Sequence, residues 1–598
     1  MSFDSDDSFS LSGSESELDL DDIFGESDEE DDDFEGFVNN EIPTEIQRQW
    51  SRTADDNRQH FTEFNAANAG PTRNNTGKNP AEIFGLFLNE EILLNIKTWT
   101  NRNAAKKRTE NPRQHRTPWT PVETTSELRA FFGVLMAMND LIEKPRYENY
   151  FERNEQFWLF HSPGFWKVFS QQRFNQIKRY ICFSDPDAQI PPRNDENFDR
   201  LHKVRPFLDY LTLKFRTEYN CGRELTLDEA MVPFKGRLGI KQRIASKPVP
   251  WGIKLWVLTD ANNSYLTNVE VYLGKESDPN ERTPLKKTGA VVVRLTRDYQ
   301  GKGHHLYVDN FYSSPYLFLF LKTRELYASG TVNSNRAGYP RELADEAKEI
   351  SQGEFRWRQF NELVATVWQD TKAVNFLSVV HPASETVQVT RNRRQREGGR
   401  TVHRQIQIDC PKVASEYGKF MGGVDRNDQM TRVRKGQKQM RWYMRLVIKF
   451  LEIAAYNAYI LDGYIREHEP QGSRKYDLHC FKKQMVMALV GNTRAPQKTP
   501  GRKRRHVEDR LLNVGRHFPE KGEGKNHRCV VCLEKRRRLR RGDGDNVPNA
   551  AKTTFKCTEC DVYLYILKEQ NCFKKYHTQV EFWRDTVADN NSSDSEDD

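Results

Sequence analysis

ELTLDEAMVPFKGR, residues 224–237, is where the hydrophobic pattern of this 598-residue chain changes period. Leu225 and Leu227 alternate with polar residues up to Asp228, the pattern of a half-buried strand that ends on an acid. WGIKLWVLTD (251–260) and YLTNVEVYLG (265–274) read as two further strands. TGAVVVRLTRDY (288–299) fits a helix or a strand and is taken as a helix. HHLYVDN (304–310) is a fourth strand, ending at Asp309, and YASGTV (327–332) a fifth. Between them SSPYLFLFLKTREL (313–326) is a helix, with Pro315 tolerated in its first turn.

Three strands, helix, strand, helix, strand is the order of an α/β RNase H-like core, a mixed sheet with helices, whose last helix is still to come. It resumes only at SEYGKFMGGVDRNDQMTRV (415–433). Residues 336–411 therefore read as a β-rich subdomain inserted in the core, with strand-like runs ELVATVWQD, AVNFLSVV and ETVQVTR and the basic stretch RNRRQR. Upstream, residues 80–222 look all-helical. Ile83, Phe84, Phe87 and Leu88 share one face, and Thr124 with Glu127 has the spacing of a capping box before LRAFFGVLMAM. MRWYMRLVIKFLEIAAYNAYILDGYIRE (440–467) is a strongly apolar helix or helix pair.

The expected order is an acidic disordered region (1–79), a helical domain (80–222), the RNase H-like core (223–335), the insertion (336–411), the last core helix (412–436), the second part of the helical domain (437–494), a basic linker (495–526), a Cys/His module (527–580) and an acidic tail (581–598). The length exceeds what one core holds, and aromatic residues at 11% are enough to fill several.

Charge is unevenly spread. Residues 1–35 hold sixteen Asp/Glu and no Lys or Arg, so the formal net charge of +7 becomes +23 without them. A basic folded body points to a polyanion partner. The acidic segment is expected to stay disordered and to compete with DNA phosphates for that body. The acidic start excludes a signal peptide, and no run of ~18 apolar residues suggests a membrane span. RKRR (502–505) and RRRLRR (536–541) read as nuclear-import signals or DNA contacts, and the nucleus is the expected location.

Asp228 and Asp309 end strands that neighbour each other in such a core, and Asp425 lies on the late helix beside both. Phosphodiester chemistry needs carboxylates grouped in this way to hold two metal ions ~3.5–4 Å apart. Mg²⁺, with Mn²⁺ as its substitute, suits oxygen donors better than His or Cys would. Asp428, three residues after Asp425, reads as a further ligand or as support for one. Glu229 points away from Asp228 on a strand and reads as structural. Lys235, Arg237, Lys247, Lys254, Arg336, Arg426 and Arg432 flank the acids and are candidate phosphate contacts. Trp442 is a candidate to stack on DNA or to fill the core.

Five of the nine cysteines fall between Cys529 and Cys572. Cys529-x2-Cys532, Cys557-x2-Cys560 and Cys572-x4-His577 form a zinc-ligand pattern in reduced surroundings. Six ligands leave two closed sites two short, so the count is one or two Zn²⁺, with His527 a candidate for a missing ligand.

Several of these stretches resemble the piggyBac transposases. LTLDEAMVPFKGR with KPVPWGIKLWVL and VEVYLG is similar to the family's first catalytic segment, HLYVDNFYSS with ASGTVNSNR to its second, and MGGVDRNDQM to its third. ELRAFFGVLMAM and DRLHKVRPFLDYL resemble the region before that core, and the Cys/His cluster resembles the C-terminal zinc domain. The resemblance implies that Asp228, Asp309 and Asp425 are the catalytic triad with Asp428 as the accompanying acid, that the helical parts on both sides of the core form a dimerisation and DNA-binding domain, and that the chain is a homodimer acting on double-stranded DNA. It implies cleavage at transposon terminal repeats through hairpin ends and joining at TTAA targets. It also implies a two-zinc cross-brace, from which this chain departs: Tyr565 stands where relatives often carry a cysteine, and the interval DGDNVPNAAKTT is long. A relative that binds transposon-like DNA without moving it, and a chromatin or ubiquitin-pathway adaptor, are the rival readings.

Overall fold

The computed structural model describes residues 50–494 and 516–583, except 54–60, 153–163, 275–284, 434–440, 467–476, 540–548 and gaps of one to three residues. Residues 1–49 and 584–598, RKRR and most of the basic linker lie outside the described residues, whereas 61–79, expected to be disordered, is held in place, the Thr62 amide donating to the Tyr327 hydroxyl at 2.8 Å. The chain divides into two compact units, Met1–Ala495 and Pro496–Asp598.

In the first unit the helices of the N-terminal part are α1 (Pro80–Phe84), α2 (Glu90–Glu110), α3 (Thr125–Met136), α4 (Phe165–Val168), α5 (Gln171–Tyr180) and α6 (Arg205–Thr217). Asn79 and Glu82 cap α1 reciprocally. Ile83, Phe84, Phe87 and Leu88 are all buried, as their spacing predicts. Thr124 caps α3 by accepting from the Glu127 amide, but the Glu127 carboxylate is taken by Arg173 at 2.7 Å instead of closing the box. A strand pair, β1 (Gly70–Pro71) with β2 (Tyr219–Asn220), ties the two ends of this part together.

The sheet follows with β3 (Glu224–Pro233), β4 (Lys241–Arg243), β5 (Trp251–Asp260), β6 (Leu266–Val271), α7 (Lys286–Leu295), β7 (His304–Val308), α8 (Pro315–Thr323) and β8 (Leu326–Thr331). Apart from the short β4 this is the expected order of elements, and α7 is the expected helix. β3 pairs antiparallel with β5 and parallel with β7, β7 pairs parallel with β8, and β6 lies on the far side of β5. Asp228 does not end its strand. β3 continues to Pro233 because β5 still pairs with it there, while its pairing with β7 stops at Leu227.

The run 336–411 is divided between the core sheet and a two-stranded ribbon of its own. After α9 (Glu342–Glu346), strands β9 (Phe355–Phe360), β10 (Leu363–Gln369) and β11 (Ala373–Ser378) extend the same sheet, with β11 antiparallel to β8 through Phe376 opposite Thr331. Sequence period predicts strands but not their partner. The unpaired backbone edge of β8 needs one, and β11 supplies it. β12 (Thr386–Glu397) and β13 (Arg400–Pro411) form a separate two-stranded ribbon that carries RNRRQR.

The late helical stretch is broken into α10 (Lys412–Phe420) and α11 (Gly423–Met430). A Cβ on Gly423 would lie 2.4 Å from Thr226 Cγ2 and 2.8 Å from Thr259 Oγ1, so glycine alone lets α11 lie flat on β3 and β5. We expect Gly423→Ala to lift α11, and Asp425 with it. Overpacking of this kind costs about 1–3 kcal/mol, and ångström-scale misplacement of a catalytic group costs on the order of 10²-fold in rate. Thermal melting and DNA end cleavage read the two effects; wild-type cleavage would show that α11 need not sit so close.

α12 (Trp442–Arg466) is one unbroken helix, and α13 (Leu478–Val490) follows. α13 packs on α1 and α3, and α12 on α1 and α6. Asn457 on α12 bonds both the amide (3.0 Å) and the carbonyl (2.8 Å) of Leu266 beside the sheet. Helices from both sides of the sheet thus share one continuous hydrophobic core with it. Among the described residues no helix is long and apolar enough to cross a membrane.

Candidate active site and metal centres

Leu227 pairs with Val308 in the parallel ladder, and the next residue on each strand is an acid. Asp228 and Asp309 therefore open side by side where the two backbones part. Carboxylate oxygens of Asp228, Glu229 and Asp309 lie within 4.8 Å of one another. Alternation alone sends Glu229 to the opposite face, which is why its reading as structural needs correction. Glu229 nonetheless belongs to the group, and the Asp228 carboxylate turns back to accept from the Glu229 amide at 2.8 Å. Lys254 Nζ (3.3 Å) and the Tyr312 hydroxyl (3.1 Å) donate to the Glu229 carboxylate.

Burial, then the neighbouring Glu229 and Asp309 carboxylates, pushes Asp228 up to about 8. Burial and Glu229 push Asp309 up to about 6. Burial opposes ionisation of Glu229 as well, yet hydrogen bonding with Asp228, the Lys254 ammonium and Tyr312 hold it below its ordinary value. A raised carboxyl binds its proton more tightly folded than unfolded. That contribution to stability is full below the unfolded pKa of ~4 and is lost as pH rises through about 6 and about 8. A divalent cation must expel the same protons. Affinity for Mn²⁺ is therefore expected to rise with pH between 6 and 8, by roughly tenfold per unit where one proton leaves. Calorimetric titration in buffers of different ionisation enthalpy measures both quantities; a flat affinity with no proton release would refute this assignment.

Asp425 stands on α11 at the rim of this group and outside its 4.8 Å radius, with its side chain 68% exposed. Lys247 links the two: its Nζ is 3.9 Å from Asp425 and donates to the Glu229 carbonyl at 3.1 Å. Tyr417 on α10 faces all three aspartates. Burial first, and then the charges of Asp309, Asp228 and Asp425, raise its hydroxyl to about 12. Asp428 does not join the acids. Its carboxylate is held by Lys449 Nζ at 2.6 Å, and the same buried ammonium also binds Thr431 Oγ1 at 2.7 Å. Three residues on from Asp425 is the right helical face only when nothing on α12 competes for the side chain.

The expected phosphate contacts divide. Lys235, Arg237 and Arg432 are exposed. Lys254 is committed to Glu229 and lies over the Phe311 ring at 4.6 Å. Arg336 donates to the Asn310 carbonyl at 2.7 Å and so braces the loop after Asp309. Arg426 donates to the Asn262 carbonyl at 3.1 Å. Trp442 is half-buried at the start of α12, edge-on to Tyr443.

The second unit is small. β14 (Pro519–Lys521) pairs with β17 (Phe555–Cys557) and β15 (His527–Arg528) with β16 (Lys552–Thr553), alongside helices Val530–Leu539 and Cys572–Thr578. Its core is built largely of cysteines and rings. Two ligand groups form in it. Donor atoms of His517, Cys557, Cys560 and His577 lie within 4.8 Å of one another, and those of Cys529, Cys532 and Cys572 do likewise. His517 Nδ1 is 3.3 Å from Cys557 Sγ and 3.2 Å from Cys560 Sγ. His577 Nδ1 faces the Phe573 carbonyl at 2.7 Å, which fixes the tautomer that leaves Nε2 open beside Cys560. Two thiols and two imidazoles at this spacing fit tetrahedral zinc.

His527, the candidate from sequence, is instead stacked on Tyr563 at 4.0 Å. His517 lies ten residues before the expected start of the module and was missed for that reason. The antiparallel pairing of Pro519 with Cys557 brings it in. Of the basic run, Arg537 and Arg538 pair with Glu534, and Arg538 also lies over Trp583.

A family model described as Transposase IS4 matches residues 79–459. The human PiggyBac transposable element-derived protein 3 is 25% identical over 518 residues, which cover 84% of this chain and 77% of that protein. The human PiggyBac transposable element-derived protein 2 is 25% identical over 462 residues, 76% of this chain and 72% of that one. A piggyBac transposase synaptic complex with hairpin DNA, solved by cryo-electron microscopy, aligns with a TM-score of 0.58 at 25% identity, covering 83% of this chain and 97% of its own. The matched span contains β3, β7 and α11 with all three aspartates, and the chain belongs to the Transposase IS4 family, of the piggyBac type.

Proposed function

We propose that the protein is a cut-and-paste DNA transposase whose sheet is RNase H-like and whose cleavage centre is built on Asp228, Asp309 and Asp425. The observation that carries this reading is the parallel β3–β7 pair, which places Asp228 and Asp309 side by side with raised carboxyl pKa values. Three carboxylates and no His or Cys suit Mg²⁺ or Mn²⁺. Two such ions, when bound, would activate the attacking oxygen and stabilise the leaving one.

The chain's own residues do the remaining work. Asp228 and Asp309 hold the ions from the sheet, and Asp425 closes the site from α11. Glu229, fixed by Lys254 and Tyr312, keeps negative charge beside them. Asp428 positions α11 through Lys449. Lys235, Arg237 and Arg432 contact phosphates. In the proposed reaction water attacks a phosphorus at each transposon end and frees a 3′-OH. That hydroxyl attacks a phosphorus of the opposite strand, expels the 3′-oxygen of the flanking DNA and closes a hairpin; water reopens the hairpin, and the 3′-OH then attacks a phosphorus at a TTAA target and expels the target's 3′-oxygen. The protein would act in the nucleus as a homodimer on paired ends, with the Cys/His module binding end DNA.

The test is excision in vitro with Mg²⁺ from a plasmid carrying candidate terminal inverted repeats bordered by TTAA. Hairpin-ended products and a resealed donor support transposition. Binding of those ends without cleavage would instead make the chain a transposon-derived DNA-binding protein.

A further inference from the structure

The two metal groups of the C-terminal unit differ in number. The first has four donors. The second has Cys529, Cys532 and Cys572, and among the described residues no fourth His, Cys, Asp or Glu joins them. These three are shaped for metal all the same. Cys532 Sγ and Cys572 Sγ are 3.8 Å apart, the separation two thiolates adopt around tetrahedral zinc with Zn–S of ~2.3 Å. Cys529 and Cys572 are buried. At the rim stands Tyr565, half-buried, whose amide donates to Cys529 Sγ at 3.4 Å and whose carbonyl accepts from the Phe573 amide beside Cys572. The backbone of Tyr565 is therefore tied to the segments that carry Cys529 and Cys572, while its side chain offers no thiol, imidazole or carboxylate to a metal held there.

We propose that Cys529, Cys532 and Cys572 hold a zinc ion by three thiolates, with a fourth position that Tyr565 leaves to solvent and to exchangeable donors such as imidazoles or small thiols. Closed four-ligand sites are structural, whereas three protein ligands plus water leave a position at which ligands and metal exchange. One module then carries two zinc ions of unequal lability: a fixed ion on His517, Cys557, Cys560 and His577, and an exchangeable one on the three cysteines. The inference rests on the reading of the unit as a metal module and adds the asymmetry.

The test uses the full-length protein loaded with zinc and then challenged with a chromogenic chelator. The expected trace has two phases of one equivalent each. Cys572→Ser should remove the fast phase alone, and His517→Ala the slow one. Tyr565→Cys should convert the fast phase into a slow one, by at least about tenfold in rate, while Tyr565→Phe should not. In the cobalt(II)-loaded chain, added imidazole should shift the visible bands, and Tyr565→Cys should suppress that shift.

A wild-type chain that binds only one zinc equivalent and loses none of it in Cys572→Ser, or two equivalents leaving together with no response to Tyr565→Cys, overturns the open site and leaves the metal module standing. No zinc at all overturns both. Because Tyr565→Cys adds a ligand, it stays informative even where Cys572→Ser unfolds the unit.

Discussion

Asp228→Asn and Asp309→Asn are each expected to lower DNA end cleavage by on the order of 10³-fold or more while end binding in a gel shift persists. The amide keeps the shape of the side chain and removes its charge, so the loss falls on metal holding. The metal-free fold should not suffer. Burial and the crowding of like charge push both carboxyls up, which means that their ionised forms are disfavoured there. The melting temperature of either variant without metal, near pH 8, is therefore expected to stay level or rise. Cleavage lost together with a large drop in melting temperature would point to a structural role. Cleavage retained would remove that residue from the centre. Asp425→Asn should also silence cleavage, but being exposed it should leave the melting temperature nearly unchanged.

Cys557→Ser or His517→Ala is expected to cost one zinc equivalent and to destabilise the C-terminal unit without releasing the other ion. The apolar core of this unit is small and built around its own ligands, so metal supplies most of its stability. Structural zinc sites of this kind carry apparent binding free energies of about 10–16 kcal/mol, far more than one side-chain contact. Zinc content and limited proteolysis of the full-length chain read the loss. His527→Ala is the control: its ring stacks on Tyr563, outside both ligand groups, so both zinc equivalents should remain. If His527→Ala releases zinc and His517→Ala does not, the assignment of the fourth ligand is reversed.

The amino-acid sequence by itself determined the elements of the sheet. Its period of two through Leu225 and Leu227, the change of period at 286–295 and 315–323 and the returns at 304–308 and 326–331 are local properties of strands and helices. The acids were legible for a related reason. Asp228 and Asp309 each follow directly on a buried apolar strand residue, and a parallel pair that matches Leu227 with Val308 must bring the next two residues together. The paired cysteines likewise carried their chemistry in their spacing.

Tertiary structure decided whatever depended on competition between segments distant in sequence. Asp428 has the spacing of a ligand, but Lys449 on α12 reaches it first. Glu229 has the alternation of an outward residue, yet Lys254 and Tyr312 hold its carboxylate in the group with Asp228 and Asp309. His517 becomes a ligand because β14 pairs with β17, a register that no local pattern records. The runs 362–370 and 373–380 of the insertion read correctly as strands, but only the unpaired edge of β8 made them part of the core sheet, together with 355–360, which had no strand reading. Local periodicity fixes what a segment becomes, because it follows from side chains a few residues apart. The partner of each segment follows from which backbone edges, charges and ligands remain unsatisfied once the others are in place, and that is a property of the whole fold.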